Sequence, residues 1–115
     1  MALLARPTRI ERDAAIQRFE YSFEATWKAA QRYLQVVEGM VVGSPKATIR
    51  ASRESGLLDV GTTEQALVMA DDRNLTAHTY NESVAATIAA RLPRHVATLE
   101  AWLGAMRDRL PGRGS

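Results

Sequence analysis

A thirty-residue amphipathic segment near the start of the chain constrains the fold more than any other feature of the sequence. Between residues 9 and 38, apolar and small side chains recur at alternating steps of three and four: Ile16, Phe19, Phe23, Thr26, Ala30, Tyr33 and Val37. This spacing predicts one helix with one buried stripe, which Trp27 and Leu34 widen and which ends at Gly39. Such a helix is about 45 Å long, so other elements must pack along most of it.

Two shorter helices are predicted from their end signals. Ser44 is a good N-cap and Pro45 suits the first helical position, whereas Gly56 ends this second helix. A third helix is predicted to begin at Thr62 or at the threonine after it, with Gln65 completing a capping box on Thr62.

The last helix is predicted to start at Asn81, a second N-cap signal, with Glu82 in its first turn. Pro93 removes an amide and clashes one turn back, so we expect a kink or a split near residues 91–93. His95 follows at the start of the final segment, where we expect it on the surface. The final segment carries its own apolar stripe: Val96, Leu99, Trp102, Leu103 and Met106.

These patterns predict an all-α protein, an antiparallel up-and-down four-helix bundle over residues 9–109. Its two long helices, the first and the last, are expected to be antiparallel. A chain of 115 residues is one domain, with an N-terminal arm at residues 1–8 and a disordered tail at residues 110–115.

Composition excludes several classes of protein. The chain has no cysteine, which excludes disulfides and thiolate metal sites. No apolar run approaches the length of a membrane span, and the start lacks the features of a signal peptide. We therefore expect a cytoplasmic protein without membrane contact. No cofactor and no metal are predicted, and the net charge of +2 favours a nucleic-acid partner only slightly.

The stretch "DDRNLTAHTYNE", residues 71–82, holds the chemistry of the chain. Arg73 and His78 are five residues apart, about 140° around a helix, so they do not lie on one stripe. A long arginine can still reach toward a histidine near the helix end, and the two can share one cleft. Histidine transfers protons near neutral pH and arginine forks onto phosphate. The pair suits metal-independent cleavage of RNA through its 2′-hydroxyl. One histidine cannot readily act as both base and acid, and a symmetric dimer would supply a second copy.

Other interpretations of the same residues stay open on physical grounds. The arginine and histidine can be structural, holding helix ends together, and Tyr80 can be a half-buried packing residue. Asp71, Asp72 and Glu82 with His78 could hold a metal ion, although acidic residues at a helix boundary are more often solvated or paired with arginine.

Three blocks of the sequence resemble a known family. "RNLTAHTY" has the form Arg-x4-His-x-Tyr, which is similar to the signature of the HEPN superfamily. "FEYSFEATWKAAQRYL" (19–34), "GSPKATIRAS" (43–52) and "DDRNLTAHTYNE" (71–82) resemble, in order and spacing, the nucleotidyltransferase substrate-binding proteins. The resemblance covers roughly residues 10–108.

The resemblance implies a helical bundle that forms a homodimer and whose partner is a minimal nucleotidyltransferase encoded nearby. In related two-gene modules the HEPN protein is an RNase toxin, and the nucleotidyltransferase is the antitoxin, in some cases by adding AMP to the motif tyrosine. Carried over to this chain, Arg73 and His78 are the catalytic pair, Asp72 and Asn74 support them, and Tyr80 is the candidate modification site. The alternatives are a non-catalytic substrate-binding subunit of the nucleotidyltransferase and a helical scaffold without activity.

Overall fold

The structure of the protein, a computed structural model, describes residues 8–110. It contains four α-helices: α1 (Arg9–Tyr33), α2 (Pro45–Glu54), α3 (Val60–His78) and α4 (Glu82–Arg109). A π-helical turn, Leu34–Glu38, continues α1. The predicted all-α four-helix bundle is confirmed, with no strand in the described residues. The predicted arm and tail lie outside the described residues, apart from one residue of each.

The long first helix has the predicted stripe. Thr8 and Glu11 form a capping box at its start, and its buried residues are Ile16, Phe19, Phe23, Thr26, Trp27, Ala30 and Tyr33. Gly39, with a φ of 70°, ends the π-helical turn. Val37 departs from the prediction because 41% of it is exposed. It lies where hydrogen bonds span five residues rather than four, so the 3.6-residue period that predicted its burial no longer applies.

The second helix begins and ends as its sequence predicts. The Ser44 hydroxyl accepts a hydrogen bond from the Ala47 amide at 3.2 Å, and Pro45 occupies the first turn. Gly56 follows the helix with a φ of 85°, a left-handed conformation that glycine adopts without strain.

The third helix begins earlier than predicted. Its N-cap is Asp59, whose carboxylate accepts a hydrogen bond from the Thr62 amide at 2.7 Å. The predicted capping box between Thr62 and Gln65 is therefore wrong, and the Gln65 side-chain oxygen is buried without a hydrogen-bond partner. Aspartate caps a helix as well as threonine does, and the earlier of two competing signals is the one used.

The last helix begins at the predicted cap, Asn81, but it is not split. It continues through Pro93 from Glu82 to Arg109. The predicted surface position of His95 is wrong, since its exposure is 0%. In an unbroken helix His95 falls on the same face as the buried residues Ile88, Leu99, Trp102 and Met106. The predicted break at Pro93 interrupted the helical period, so the sequence did not predict that His95 is buried.

The two long helices run in the same direction, which corrects the predicted antiparallel relation. Near their starts Arg12 donates a hydrogen bond to Glu82 at 3.0 Å. Further along both helices the Phe19 and His95 rings stack with centroids 5.2 Å apart. Contacts that advance together along two helices show that the helices run in parallel.

The reason lies in the connection between α1 and α2. The chain turns back beside α1 after the π-helical turn, where the Gln31 amide donates a hydrogen bond to the Val42 carbonyl at 2.7 Å. Lys46 near the start of α2 then pairs with Asp71 in the second half of α3, so these two helices are antiparallel. As a result α3 runs against the other three helices, and its C-terminal end lies beside the first half of α1.

Candidate functional site

The motif predicted from the sequence occupies the last turns of α3 and the short link to α4. Asp72, Arg73, Asn74 and His78 are helical, whereas Tyr80 lies after the helix end. The chain leaves the helix at Thr79, which has extended backbone. The motif side chains therefore leave α3 in several directions, and each direction has a different neighbour.

Arg73 faces α1. Its terminal Nη2 lies 3.6 Å from Oε1 of Glu24, and its Nε is buried without a hydrogen-bond partner. About a third of the side chain, 35%, is exposed. Among the described residues Glu24 is its one ion-pair partner, so most of its five N–H donors are not used by the protein.

Glu24 is held as a carboxylate beside this arginine. Partial burial alone would raise its pKa, but hydrogen bonds from Trp27 and Lys28, together with the charge of Arg73, lower the pKa below its ordinary value. The Lys28 contact, 3.2 Å long, is an i,i+4 pair that also supports α1.

Two more motif side chains bind carboxylates of α1. The Thr76 hydroxyl donates a hydrogen bond to Glu20 at 2.5 Å, and the Tyr80 hydroxyl donates one to Asp13 at 2.6 Å. The three carboxylates of α1 that contact α3 and the link after it, Asp13, Glu20 and Glu24, form a row that we call the carboxylate ladder. Its spacing of seven and four residues places all three side chains on one face of α1.

A groove with a volume of about 580 Å³ opens along the ladder between α1 and the end of α3. Its polar lining consists of Asp13, Gln17, Glu20, Thr76 and Tyr80. The Tyr80 hydroxyl thus lies at an open groove, and about half of the residue, 49%, is exposed.

Tyr80 holds its proton strongly. Partial burial of the hydroxyl and its hydrogen bond to Asp13 raise the pKa of Tyr80 from 10.0 to about 12. A pKa raised by folding means that the protonated hydroxyl stabilises the fold below pH 10 and that this contribution is lost as the pH rises through 12.

We expect the phenolate absorbance of Tyr80 to appear near pH 12. The difference between alkaline titrations of the wild type and of Tyr80→Phe measures it. Asp13→Asn should move this step to lower pH without restoring the ordinary value, because burial also contributes. If the Tyr80 step occurred at the same pH in the wild type and in Asp13→Asn, the role given to Asp13 would be contradicted.

His78 lies apart from this row. It is the last residue of α3 and is exposed, and among the described residues it has no hydrogen-bond or ion-pair partner. The described residues show no contact between its side chain and that of Arg73, which pairs with Glu24 instead, and the two side chains leave α3 about 140° apart. Asn74, one turn before His78, is exposed on nearly the same face.

Asp72 faces α4, away from the groove. It is 3% exposed and accepts hydrogen bonds from Arg91 at 2.7 Å and from Nε2 of His95 at 2.7 Å. The Nδ1 atom of His95 is buried without a partner. Asp72 therefore fixes α3 against α4 from beneath the motif.

The four residues considered as metal ligands engage different parts of the molecule. Asp71 pairs with Lys46, Glu82 pairs with Arg12, Asp72 is turned toward α4, and His78 is exposed at the end of α3. Within residues 8–110 no three histidine or carboxylate side chains form a group that could hold a metal ion. In the same part of the chain, no helix has the length and apolar character needed to cross a membrane.

Sequence reasoning missed the carboxylate ladder and His95. In the sequence, the ladder residues are indistinguishable from an ordinary solvent-exposed polar face of α1. Their spacing does not identify which helix packs against them. His95 had a usable signal, its helical spacing from Ile88 and Leu99, which the proline obscured.

Comparisons with known proteins place the chain in a family. A crystal structure of a protein from Thermus thermophilus is similar over 89% of this chain and 86% of that one, with 54% sequence identity and a TM-score of 0.85. No curated protein matches the chain. The family model described as "nucleotidyltransferase substrate binding protein like" matches residues 4–108. Since this match spans nearly the whole chain, the protein belongs to the nucleotidyltransferase substrate-binding-protein-like family, as its three sequence blocks indicated.

Proposed function

We propose that this protein is a toxin-type endoribonuclease paired with a minimal nucleotidyltransferase, which controls it by adding AMP to Tyr80. Arg73 and His78 are its catalytic pair. The observation that supports this best is the environment of Arg73. Its guanidinium is partly buried, its one ion-pair contact among the described residues is with Glu24 at 3.6 Å, and most of its N–H donors are unused. A phosphate group would satisfy those donors better than Glu24 does, because arginine binds phosphate through paired hydrogen bonds.

The proposed reaction needs no group other than these side chains and the RNA. The 2′-hydroxyl oxygen attacks the adjacent phosphorus, and the 5′-oxygen of the next nucleotide leaves. His78 accepts the proton of the attacking hydroxyl or gives one to the leaving oxygen, while Arg73 neutralises the charge on the pentacoordinate phosphate. Asn74, exposed one turn before His78, is the supporting polar residue.

A homodimer would complete this site. One imidazole performs one of the two proton transfers, so the second transfer needs a second histidine. His78 and Arg73 leave one α3 helix in different directions, and a symmetric dimer would bring a second copy of each residue. We therefore propose that the active form is a symmetric dimer.

Removing the guanidinium tests the proposal. We expect Arg73→Ala to cleave RNA roughly 10²–10³-fold more slowly than the wild type, the range found when a donor to developing negative charge is lost. Arg73→Lys should fall between them, since it keeps the charge without the fork. Gel analysis of purified protein with RNA in EDTA measures this, and Arg32→Ala, an exposed arginine of α1, is the control.

Two results would contradict the proposal. Intact RNA with the wild type at high protein concentration would exclude the ribonuclease, and equal cleavage by Arg73→Ala would exclude the assigned site.

A second candidate is a non-catalytic substrate-binding subunit of the nucleotidyltransferase. The carboxylate lining of the 580 Å³ groove favours it, because Asp13 and Glu20 repel RNA phosphates. In this case the groove and Tyr80 serve the partner enzyme. Both candidates require a complex with the transferase, so failure to co-purify the two chains under native conditions would contradict both. A complex with no cleavage of RNA would favour the second.

A further inference from the structure

We propose that Asp13 is the general base for nucleotide transfer to Tyr80. It accepts the proton of the tyrosine hydroxyl as that oxygen attacks a nucleoside triphosphate. This assignment rests on the proposed function, in which Tyr80 is the acceptor, and it adds a catalytic residue that lies outside the motif, on another helix.

The geometry is that of a base already in contact with its proton. The distance from Tyr80 Oη to Asp13 Oδ1 is 2.6 Å, within the range for a hydrogen bond to a charged acceptor. The Asp13 side chain is 43% exposed and the tyrosine is 49% exposed. Water or a triphosphate can thus reach the hydroxyl without displacing the carboxylate.

Neighbouring charged groups leave this role to Asp13. On α1, Glu20 accepts the Thr76 hydroxyl, and the Arg12 guanidinium lies 3.8 Å from Asp13. On α4, Glu82 is occupied by Arg12 at 3.0 Å. Asp13 is therefore the carboxylate that contacts Tyr80 and is placed to accept its proton.

The reaction balances without a further reactant. Tyr80 Oη attacks the α-phosphorus of the nucleoside triphosphate, the new bond is O–P, and the bond from that phosphorus to the pyrophosphate oxygen breaks. The proton passes from Oη to Asp13, and pyrophosphate leaves from the transferase. A tyrosine that holds its proton as strongly as Tyr80 supplies almost no phenolate at neutral pH, so the proton must leave as the oxygen attacks.

The test uses the complex of the two chains with ATP and Mg²⁺. Intact mass measures the rate at which AMP is added to the wild type, Asp13→Asn and Tyr80→Phe. We expect no adduct on Tyr80→Phe and a rate on Asp13→Asn lower by roughly 10²–10⁴-fold, the usual contribution of a general base. Asp71→Asn, which changes a carboxylate on the far side of the motif, should keep the wild-type rate.

The pH profile separates a base from a structural residue. Without its base, Asp13→Asn should react faster as the pH rises, in proportion to the phenolate fraction, whereas the wild type should be nearly constant above neutrality. Asp13→Glu should restore the flat profile at a reduced rate, and it serves as the second variant if Asp13→Asn folds poorly.

Each other outcome has one meaning. No adduct on the wild type would overturn Tyr80 as the acceptor and this assignment with it. An adduct formed equally fast on the wild type and Asp13→Asn would overturn Asp13 alone and would assign the base to the transferase. A slower rate with the wild-type pH profile would also overturn the role of base.

Discussion

Replacing Asp72 with alanine should lower the free energy of unfolding by about 1–3 kcal/mol, the usual effect of leaving a buried hydrogen-bonding group without its partner. Asp72 is 3% exposed and joins α3 to α4 through two 2.7 Å hydrogen bonds, from Arg91 and His95. Without the carboxylate, the fully buried imidazole of His95 loses the one hydrogen-bond partner it has among the described residues. An unsatisfied buried polar group is more harmful than a lost contact between exposed groups.

Asp71 provides a matched control one residue away. Its carboxylate is 61% exposed and pairs with Lys46, 39% exposed, and exposed ion pairs contribute about 0–1 kcal/mol. Chemical denaturation of Asp71→Ala and Asp72→Ala should therefore show a small shift of the midpoint for the first and a large one for the second, with similar slopes. Equal, small shifts would contradict the role of Asp72 as the link between α3 and α4.

Much of the fold follows from local signals. The stripe from Ile16 to Tyr33, the cap at Ser44 and the cap at Asn81 each depend on residues close together in sequence, so they can be predicted. The direction of α1 relative to α4 cannot be predicted in this way. It depends on the course of residues 39–44, where Gln31 donates a hydrogen bond to the Val42 carbonyl and where Met40 and Val42 pack against the core.

The candidate site shows the same division. The motif containing Arg73, His78 and Tyr80 is a continuous piece of sequence and is recognisable by its spacing. Its partners on α1, Glu24 and Asp13, lie 49 and 67 residues away from Arg73 and Tyr80 (73 − 24 and 80 − 13). Only the packing of α3 against α1 reveals them, and this packing converts a list of motif residues into a groove with a tyrosine held by a carboxylate.

His78 and His95 should separate catalysis from stability. His78→Ala should reduce RNA cleavage by roughly 10²–10⁴-fold, the contribution of a positioned acid or base. The same change should alter the free energy of unfolding by no more than about 0.5 kcal/mol. The His78 side chain is exposed and makes no hydrogen bond or ion pair with another described residue.

His95→Ala should give the opposite result. It removes a ring that is 0% exposed, stacks on Phe19 and bonds Asp72, so the fold should lose about 3 kcal/mol through a cavity and the loss of one hydrogen bond to the buried carboxylate. Cleavage measured well below its melting temperature should remain, because His95 lies under the motif and not at its surface.

The two measurements together decide what the motif does. If His78→Ala lost stability as His95→Ala does and kept its cleavage of RNA, the motif histidine would be a structural residue and the catalytic pair would be wrong. If His78→Ala kept its stability and lost its cleavage, a scaffold without activity would be excluded. In such a scaffold an exposed histidine has no catalytic role, so its removal could not change the cleavage of RNA.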